Sequence, residues 1–400
     1  MSKIVRTNIF NNIFATLLNI LAPLITIPIL TSELGMAEYG VYVALLAKTA
    51  LFVVFAELGF GMYLAKEISV HRDDASKVSS LFCIFLFVKF IVFIIASIIL
   101  VNFSKEFGFV EVLLCAFILF QFINITPILS GLEDYKFLTK AQLLTKIIMV
   151  SMVLFCNFEI HGLEKAIFIQ VIVAILSSFI LICYFISNYK FVRCKINFSK
   201  ILIVLRGGFP FYSAKLFVNL YQQSSTYFVS LVLSVELVAI YSIAIQLYKI
   251  GQSIIGAVAR VLYTSTVKTK DFRLIKNITI KSFVIHLAAF PIVWFYGEVI
   301  FKLIFSFDVT TLVDLSVFLY FSLLMVIVSS YWGYPALSAI GKENYAHIGI
   351  FVSSIGYFIA YYTTYSLGVV TIQSMIYCVL VADFLGMLVR VYYARRFKLI

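Results

Sequence analysis

Four lysines stand inside long apolar stretches of the sequence: Lys48, Lys89, Lys215 and Lys249. A charge buried in hydrocarbon is costly, so it usually faces a cavity or a partner, or its long stem carries it to an interface. The ammonium group is a compact cation that binds phosphate. We therefore expect these lysines to line a cavity for an anion, above all a phosphate. Snorkelling to the membrane interface is the alternative.

Amide side chains recur in three of the apolar stretches. Asn12 and Asn19 lie in the first stretch (about 9–30), Asn219 and Gln222 in the seventh (about 208–233), and Gln252 in the eighth (about 237–262). In the seventh and eighth stretches the amides share a helical face with a lysine. Amides on one face can hydrogen-bond sugar hydroxyls in a water-filled path. They can also hold neighbouring helices together, which is common in membranes.

Two carboxylates, Glu57 and Asp383, lie in apolar surroundings. Either could couple transport to H⁺ or Na⁺ by taking up the ion, or could neutralise a lysine of another span. Apart from such an ion, no cofactor is expected. The histidines and cysteines show no metal-ligand spacing.

These residues must be positioned by membrane helices. Of the 400 residues 63% are hydrophobic and 12% charged, and the mean hydropathy is +1.07. A soluble fold cannot cover its surface with so few charges. The expected class is an all-α integral membrane protein. Its twelve candidate spans cover roughly 9–30, 39–64, 79–101, 109–130, 141–157, 164–187, 208–233, 237–262, 279–300, 312–334, 346–367 and 369–393.

The distribution of the basic residues predicts the orientation. With the N-terminus in the cytoplasm, 24 of the 31 lysines and arginines fall in the cytoplasmic segments and three in the outer loops. This asymmetry places both termini in the cytoplasm. It also explains the net charge of +12 without a nucleic-acid partner. The last cytoplasmic segment is taken to begin at Arg390, so that no arginine lies deep in a span.

Short sequence matches suggest a duplication. Pro127-Ile128-Leu129-Ser130 resembles Pro335-Ala336-Leu337-Ser338, and weaker matches recur at similar offsets. Six spans per half give a parallel repeat, with an axis along the membrane normal and the substrate path between the halves. We predict an N-terminal lobe over 1–200 and a C-terminal lobe over 201–400. The prolines Pro23, Pro28 and Pro210 are expected to break the hydrogen-bond ladder of the first and seventh helices, either as a break that allows bending or as a static kink.

Several phrases resemble a known family. The Asn-rich first span, the following prolines and residues 34–42 (LGMAEYGVY) look like the start of the polysaccharide-exporting flippases. Glu57-Leu58-Gly59-Phe60 and Gly131-Leu132-Glu133 are similar to phrases that follow in that family. The chain thus resembles the Wzx-type O-antigen flippases of the multidrug/oligosaccharidyl-lipid/polysaccharide (MOP) exporter superfamily. That family often lines its cavity with arginines, where this sequence offers lysines.

The resemblance implies a transporter of the bacterial inner membrane rather than an enzyme. It would move an undecaprenyl-pyrophosphate-linked oligosaccharide to the periplasmic leaflet by alternating access, in company with the polymerase and the chain-length regulator of the same pathway. Other readings are a drug/cation antiporter of the same fold, which would favour acidic cavity residues, and a lipid II flippase. A membrane O-antigen polymerase or glycosyltransferase would be expected to carry a large outer loop, and no loop here exceeds about twenty residues.

Overall fold

The structure is a computed structural model that describes residues 3–102, 108–156, 162–192 and 197–400. The side chains of residues 3–19, 210, 211, 213–215, 217, 218, 223 and 224 lie outside that description. Every regular element in the described ranges is a helix, which confirms the all-α prediction.

The fourteen helices are α1 (Lys3–Ala56), α2 (Phe60–Val70), α3 (Ala75–Asn102), α4 (Phe109–Phe122), α5 (Thr126–Gly131), α6 (Tyr135–Phe155), α7 (Gly162–Asn188), α8 (Phe198–Ser230), α9 (Val235–Thr269), α10 (Phe272–Ile304), α11 (Thr310–Trp332), α12 (Tyr334–Ser338), α13 (Glu343–Ser366) and α14 (Ile372–Arg396).

Nine stretches of the described residues are long and apolar enough to cross a membrane: Ile20–Ala56, Ala75–Asn102, Phe109–Gly131, Tyr135–Phe155, Gly162–Asn188, Val235–Thr269, Phe272–Ile304, Thr310–Ser338 and Ile372–Arg396. Lengths of 21 to 37 residues meet or exceed the roughly 20 residues that a membrane-spanning helix needs. The chain is therefore a multi-pass membrane protein.

The first two predicted spans are joined in one long helix. Within α1 the backbone leaves helical geometry at Gly35, where φ is 71° and ψ is 170°. Glycine tolerates this left-handed conformation because it has no Cβ. Helix α1 continues through Pro23 and Pro28, so of the two expectations for these prolines a break in the helix is not observed. Pro210 also lies within the continuous helix α8.

The second predicted span, 39–64, is interrupted. Helix α1 ends at Ala56, and α2 begins at Phe60 after a turn in which Leu58 and Gly59 have φ values of 49° and 76°. A Cβ on Gly59 would lie 2.0 Å from the carbonyl oxygen of Gly208. Only glycine fits that close approach, which fixes the turn against the first part of α8.

The suggested duplication has a structural counterpart in two turns. The short helices α5 and α12 each carry a proline near their start and follow a longer helix. Each is followed by a residue with positive φ, Glu133 at 61° and Gly341 at 70°, 208 positions apart. The N–H of Asp134 donates to the carbonyl of Leu129 at 3.0 Å, and the N–H of Lys342 to that of Leu337 at 2.9 Å. Both turns close with the same hydrogen bond, at the offset of the sequence match.

The helices form two compact units. Unit 1 comprises Met1–Leu30 and Leu45–Asn219, and unit 2 comprises Thr31–Ala44 and Leu220–Ile400. Unit 1 has an apolar core around Phe60, Phe85 and Phe185. In unit 2, Tyr241 and Tyr357 are among the largest fully buried side chains. The lobes over 1–200 and 201–400 stay a prediction.

Candidate functional site

A buried carboxylate lies at the centre of a polar cluster in unit 2. Asp383 of α14 is 8% exposed, and its Oδ2 accepts hydrogen bonds from the hydroxyls of Tyr248 on α9 and Ser322 on α11. The amide of Gln252, one turn further along α9, donates to the hydroxyl of Tyr248 at 2.8 Å. Three helices thus converge on one carboxylate, which can accept and release a proton or bind a small cation.

The expected alternative for Asp383, an ion pair with a lysine of another span, is not observed among the described residues. Its partners are two neutral hydroxyl groups. Such donors stabilise the carboxylate without a net countercharge. The site therefore keeps a titratable group in an apolar setting.

An arginine lies two turns further along the same helix. Arg390 follows Asp383 by seven residues, which puts the two on one face of α14 and about 10 Å apart along its axis. Its Nη1 donates to the carbonyl oxygen of Ser329 at 3.2 Å and to the Oγ of the same residue at 2.7 Å. Helix α14 continues to Arg396, so Arg390 lies inside the last candidate membrane span, six residues before its end.

Glycines bring α13 close to this face of α14. A Cβ on Gly349 would lie 2.9 Å from the Cγ of Arg390, and one on Gly386 would lie 2.2 Å from the Oγ of Ser353. A Cβ on Gly356 would lie 2.3 Å from a methyl carbon of Leu385. Small residues let membrane helices approach closely. Here they make room for the polar face of α14 that carries Asp383 and Arg390, which we call the polar stripe.

Lys89 has a different environment, inside unit 1. It is 6% exposed, and its ammonium donates to the carbonyl oxygen of Ala56 at 2.5 Å. The ammonium also lies 5.5–5.7 Å from the ring centroids of Phe60, Phe85 and Phe122. A cation at the C-terminal end of a helix, over three aromatic rings, is stabilised where it is. This setting favours a structural role over the expected anion-binding role.

Two other predicted residues occupy α1 and the turn that follows it. Lys48 is half-buried in α1, and Glu57 is half-buried in the turn between α1 and α2 rather than inside a helix. Glu57 interacts with at least one other residue.

Of the predicted residues on α8 and α9, only Gln252 is observed in the Asp383 cluster of the described residues. Lys249 is half-buried beside Tyr248 on α9, and Gln252 belongs to the Asp383 cluster. Gln222 donates to the hydroxyl of Tyr221 at 3.2 Å, and Asn219 is half-buried on α8. The side chains of Asn12, Asn19 and Lys215 lie outside the described residues.

Sequence reasoning missed Tyr248, Ser322 and Arg390. Tyrosine and serine are frequent in apolar spans and carry no distinctive spacing. Arg390 did offer a signal, its seven-residue spacing from Asp383, but its nearness to Arg395 and Arg396 made it look like part of the cytoplasmic end. No group of three or more metal-ligating side chains occurs in the part of the chain that the structure describes.

Comparison with known proteins places the sequence in a family. Residues 5–264 match the polysaccharide biosynthesis protein family. A "Putative O-antigen transporter" of Escherichia coli (strain K12) is 28% identical over 138 residues, and the match spans only a third of either chain.

Solved structures share the fold. An inward-facing multidrug resistance MATE family transporter of the MOP superfamily superposes with a TM-score of 0.70 at 14% identity, covering 94% of both chains. The lipid II flippase MurJ, in an inward closed conformation, superposes with a TM-score of 0.75 at 12% identity, covering 96% of this chain and 87% of MurJ. The resemblance to the polysaccharide-exporting flippases of the MOP superfamily is confirmed: the chain belongs to the polysaccharide biosynthesis protein family and has the fold of MOP transporters.

Proposed function

We propose that this protein is a flippase for undecaprenyl-pyrophosphate-linked O-antigen repeat units. It moves them from the cytoplasmic to the periplasmic leaflet of the bacterial inner membrane. The family match and the name of the Escherichia coli relative support the polysaccharide part of this substrate. The shared fold with a lipid II flippase supports the lipid-linked part.

The observation that carries the proposal is the buried polar stripe of unit 2. Asp383 and Arg390 lie on one face of α14, with Tyr248 and Gln252 of α9 bound to the carboxylate end. Ionisable residues persist inside membrane helices mainly where they serve transport or ion coupling. Amide and phenol groups suit sugar hydroxyls, and the basic groups suit pyrophosphate.

The proposed transport cycle is alternating access in a fold of twelve spans, with two six-helix lobes and both termini in the cytoplasm. The matched turns after α5 and α12 support the duplication that such a cycle uses. The excess of lysine and arginine in the proposed cytoplasmic segments supports the orientation.

Coupling to an ion gradient is assigned to Asp383. A carboxylate held by two hydroxyl groups can exchange H⁺ or bind Na⁺ without first losing a salt-bridge partner. Glu57, which the sequence offered equally, is the other candidate.

The test is complementation of a strain that lacks its O-antigen flippase, with surface O-antigen as the measurement. The wild-type chain should restore it, whereas Lys48→Ala and Lys249→Ala should reduce it at normal protein levels. Lys398→Ala, which changes a basic residue just beyond α14, is the matched control and should restore it fully. Failure of the wild-type chain with O-antigens of several compositions, together with increased resistance to cationic drugs, would identify an antiporter instead.

A further inference from the structure

Two tyrosine hydroxyls are buried in unit 2 outside the site described above. Tyr241 of α9 and Tyr357 of α13 are both 0% exposed, and neither hydroxyl has a hydrogen-bond partner among the described residues. Ser225 of α8 and Tyr357 face the hydroxyl of Tyr241 without reaching hydrogen-bond geometry. A buried hydroxyl without a partner destabilises a fold, so such groups normally enclose an ordered water molecule. The three hydroxyls therefore have the composition of a small water site.

These three residues, Ser225, Tyr241 and Tyr357, which we call the hydroxyl cluster, lie on one side of Asp383. Tyr241 is six residues, or about 9 Å, from the start of α9, whereas Asp383 is eleven residues, or about 17 Å, from the start of α14. Helix α9 begins after the turn that follows α8, and α14 after the turn that follows α13. In the proposed orientation both turns are periplasmic. The hydroxyl cluster is then placed between the periplasmic surface and Asp383.

Tyr221 of α8 connects the hydroxyl cluster to Asp383. Its ring centroid lies 5.8 Å from that of Tyr357, and the side chain interacts electrostatically with Asp383. Ser225 lies one helical turn further along α8, on the same face. The amide of Gln222 donates to the Tyr221 hydroxyl at 3.2 Å, which leaves the proton of that hydroxyl available for donation. Hydroxyl groups thus continue from the cluster to the carboxylate.

We propose that the hydroxyl cluster and Tyr221 form the path by which protons reach Asp383 from the periplasmic side, an inference that rests on the proposed function. Hydroxyl groups and bound water pass protons by exchange, because each takes up one proton and releases another. One O–H bond of a hydronium ion at the periplasmic surface breaks and one O–H bond forms at Asp383, so the carboxylate becomes neutral. Oδ1 accepts this proton, since Oδ2 already accepts from Tyr248 and Ser322.

The same geometry selects H⁺ over Na⁺ as the coupling ion. Tyr241 and Tyr357 are fully buried, so a hydrated cation would have to displace their rings, whereas a proton needs only the hydroxyl groups. Besides Asp383, the titratable or charged side chains along the path in the described residues are Tyr221 of α8, Tyr241 and Tyr248 of α9, Tyr357 of α13, and Cys378 and Arg390 of α14. Phenol, thiol and guanidinium groups ordinarily keep their protons at neutral pH, so the carboxyl group is the one that changes charge.

The test removes the hydroxyl groups and keeps the rings. Full-length protein is reconstituted in lipid vesicles with its periplasmic face outward, and the outer pH is lowered rapidly. The infrared carboxyl band of Asp383, identified by its loss in Asp383→Asn, reports the protonation. Tyr241→Phe and Tyr357→Phe should slow the protonation at least tenfold and reach the wild-type end point. Tyr331→Phe, at a buried tyrosine of α11 whose hydroxyl lies 3.3 Å from that of Ser282, is the matched control and should stay within twofold of the wild-type rate.

A second measurement separates a proton path from a structural role. Both phenylalanine variants should keep the wild-type Tm, because the hydroxyls that they lose make no hydrogen bond in the described part of the chain. In the complementation assay their surface O-antigen should fall at neutral external pH. It should recover in acidic medium, since a higher periplasmic proton concentration offsets a slower path. A merely structural defect would not respond to external pH in this way.

Several outcomes would overturn the inference. They are unchanged protonation rates in both phenylalanine variants, a wild-type carboxyl band that does not respond to pH, and failure of both variants to fold. A band that responds to Na⁺ instead of pH would also overturn it and would identify sodium as the ion. If only one variant folds, that variant is judged by the same criteria.

Failure of the inference and failure of the proposed function are distinguishable. Normal protonation rates in the variants, in a chain whose wild type restores O-antigen, remove the proton path alone. A wild-type chain that restores no O-antigen removes the flippase proposal and leaves the measured path to Asp383 standing.

Discussion

The ammonium of Lys89 donates to the carbonyl of Ala56, the last residue of α1. Helix ends leave carbonyl groups without intrahelical partners, and a buried one requires a donor. Lys89 supplies that donor from α3, at the point where the chain turns toward α2. The pair therefore stabilises the interruption of the second predicted span.

From this relationship we predict that Lys89→Ala destabilises the protein by roughly 2–5 kcal/mol, because it leaves the carbonyl unpaired and a cavity among the rings. Thermal unfolding of the purified protein measures the effect. Lys48→Ala, at a half-buried position on α1, is the comparison and should cost less. A Lys89→Ala protein with an unchanged Tm but no O-antigen export would favour the anion-binding role instead.

Replacing Asp383 by Asn should uncouple transport without unfolding the chain. The asparagine oxygen can still accept hydrogen bonds from Tyr248 and Ser322, but the side chain no longer titrates or carries charge. We expect a Tm near that of the wild type and loss of surface O-antigen in the complementation assay.

Asp308→Asn, in the exposed loop before α11, is the matched control and should retain full export. Export by Asp383→Asn that remains sensitive to dissipation of the ion gradient would rule out Asp383 as the coupling residue and direct attention to Glu57.

The sequence predicted the class of fold well because hydropathy and charge asymmetry are strong signals in membrane proteins. It also located the matched turns after α5 and α12, through the Pro127 and Pro335 phrases. It left open whether α1 continues through its prolines, because whether a proline interrupts a membrane helix depends on tertiary contacts. The partners of Asp383 could not be predicted for the same reason. Tyr248 and Ser322 become its hydrogen-bond donors only once α9 and α11 pack against α14.

Gly349→Ala should destabilise unit 2 by about 1–3 kcal/mol, because the added methyl would lie 2.9 Å from the Cγ of Arg390 and force the side chain or α13 to move. Gly297→Ala on α10 is the matched helical control. Its Cβ would meet its nearest neighbour at 3.6 Å, an ordinary contact, so the gain in helix propensity should make it neutral or stabilising by up to about 1 kcal/mol.

Chemical or thermal unfolding of the two variants in one detergent compares them directly. Equal stability would mean that the packing between Gly349 and Arg390 is loose enough to accept a methyl group.

We predict that substitutions at the two residues of positive φ in the matched turns, Glu133 and Gly341, change the stability of the protein in opposite directions. At φ 61° Glu133 bears a Cβ strain that Glu133→Gly should relieve, whereas Gly341→Ala at φ 70° should introduce it. We expect a gain in the free energy of unfolding of about 0.5–1 kcal/mol for the first turn and a loss of about 1–2 kcal/mol for the second.

The Oε2 of Glu133 also lies 3.5 Å from the Nη1 of Arg72, but both side chains are about half exposed, so that ion pair contributes little. Arg72→Ala measures that contribution separately. If both glycine changes shifted the Tm in the same direction, the two turns would not be structural equivalents, and the case for a duplicated fold would rest on sequence alone.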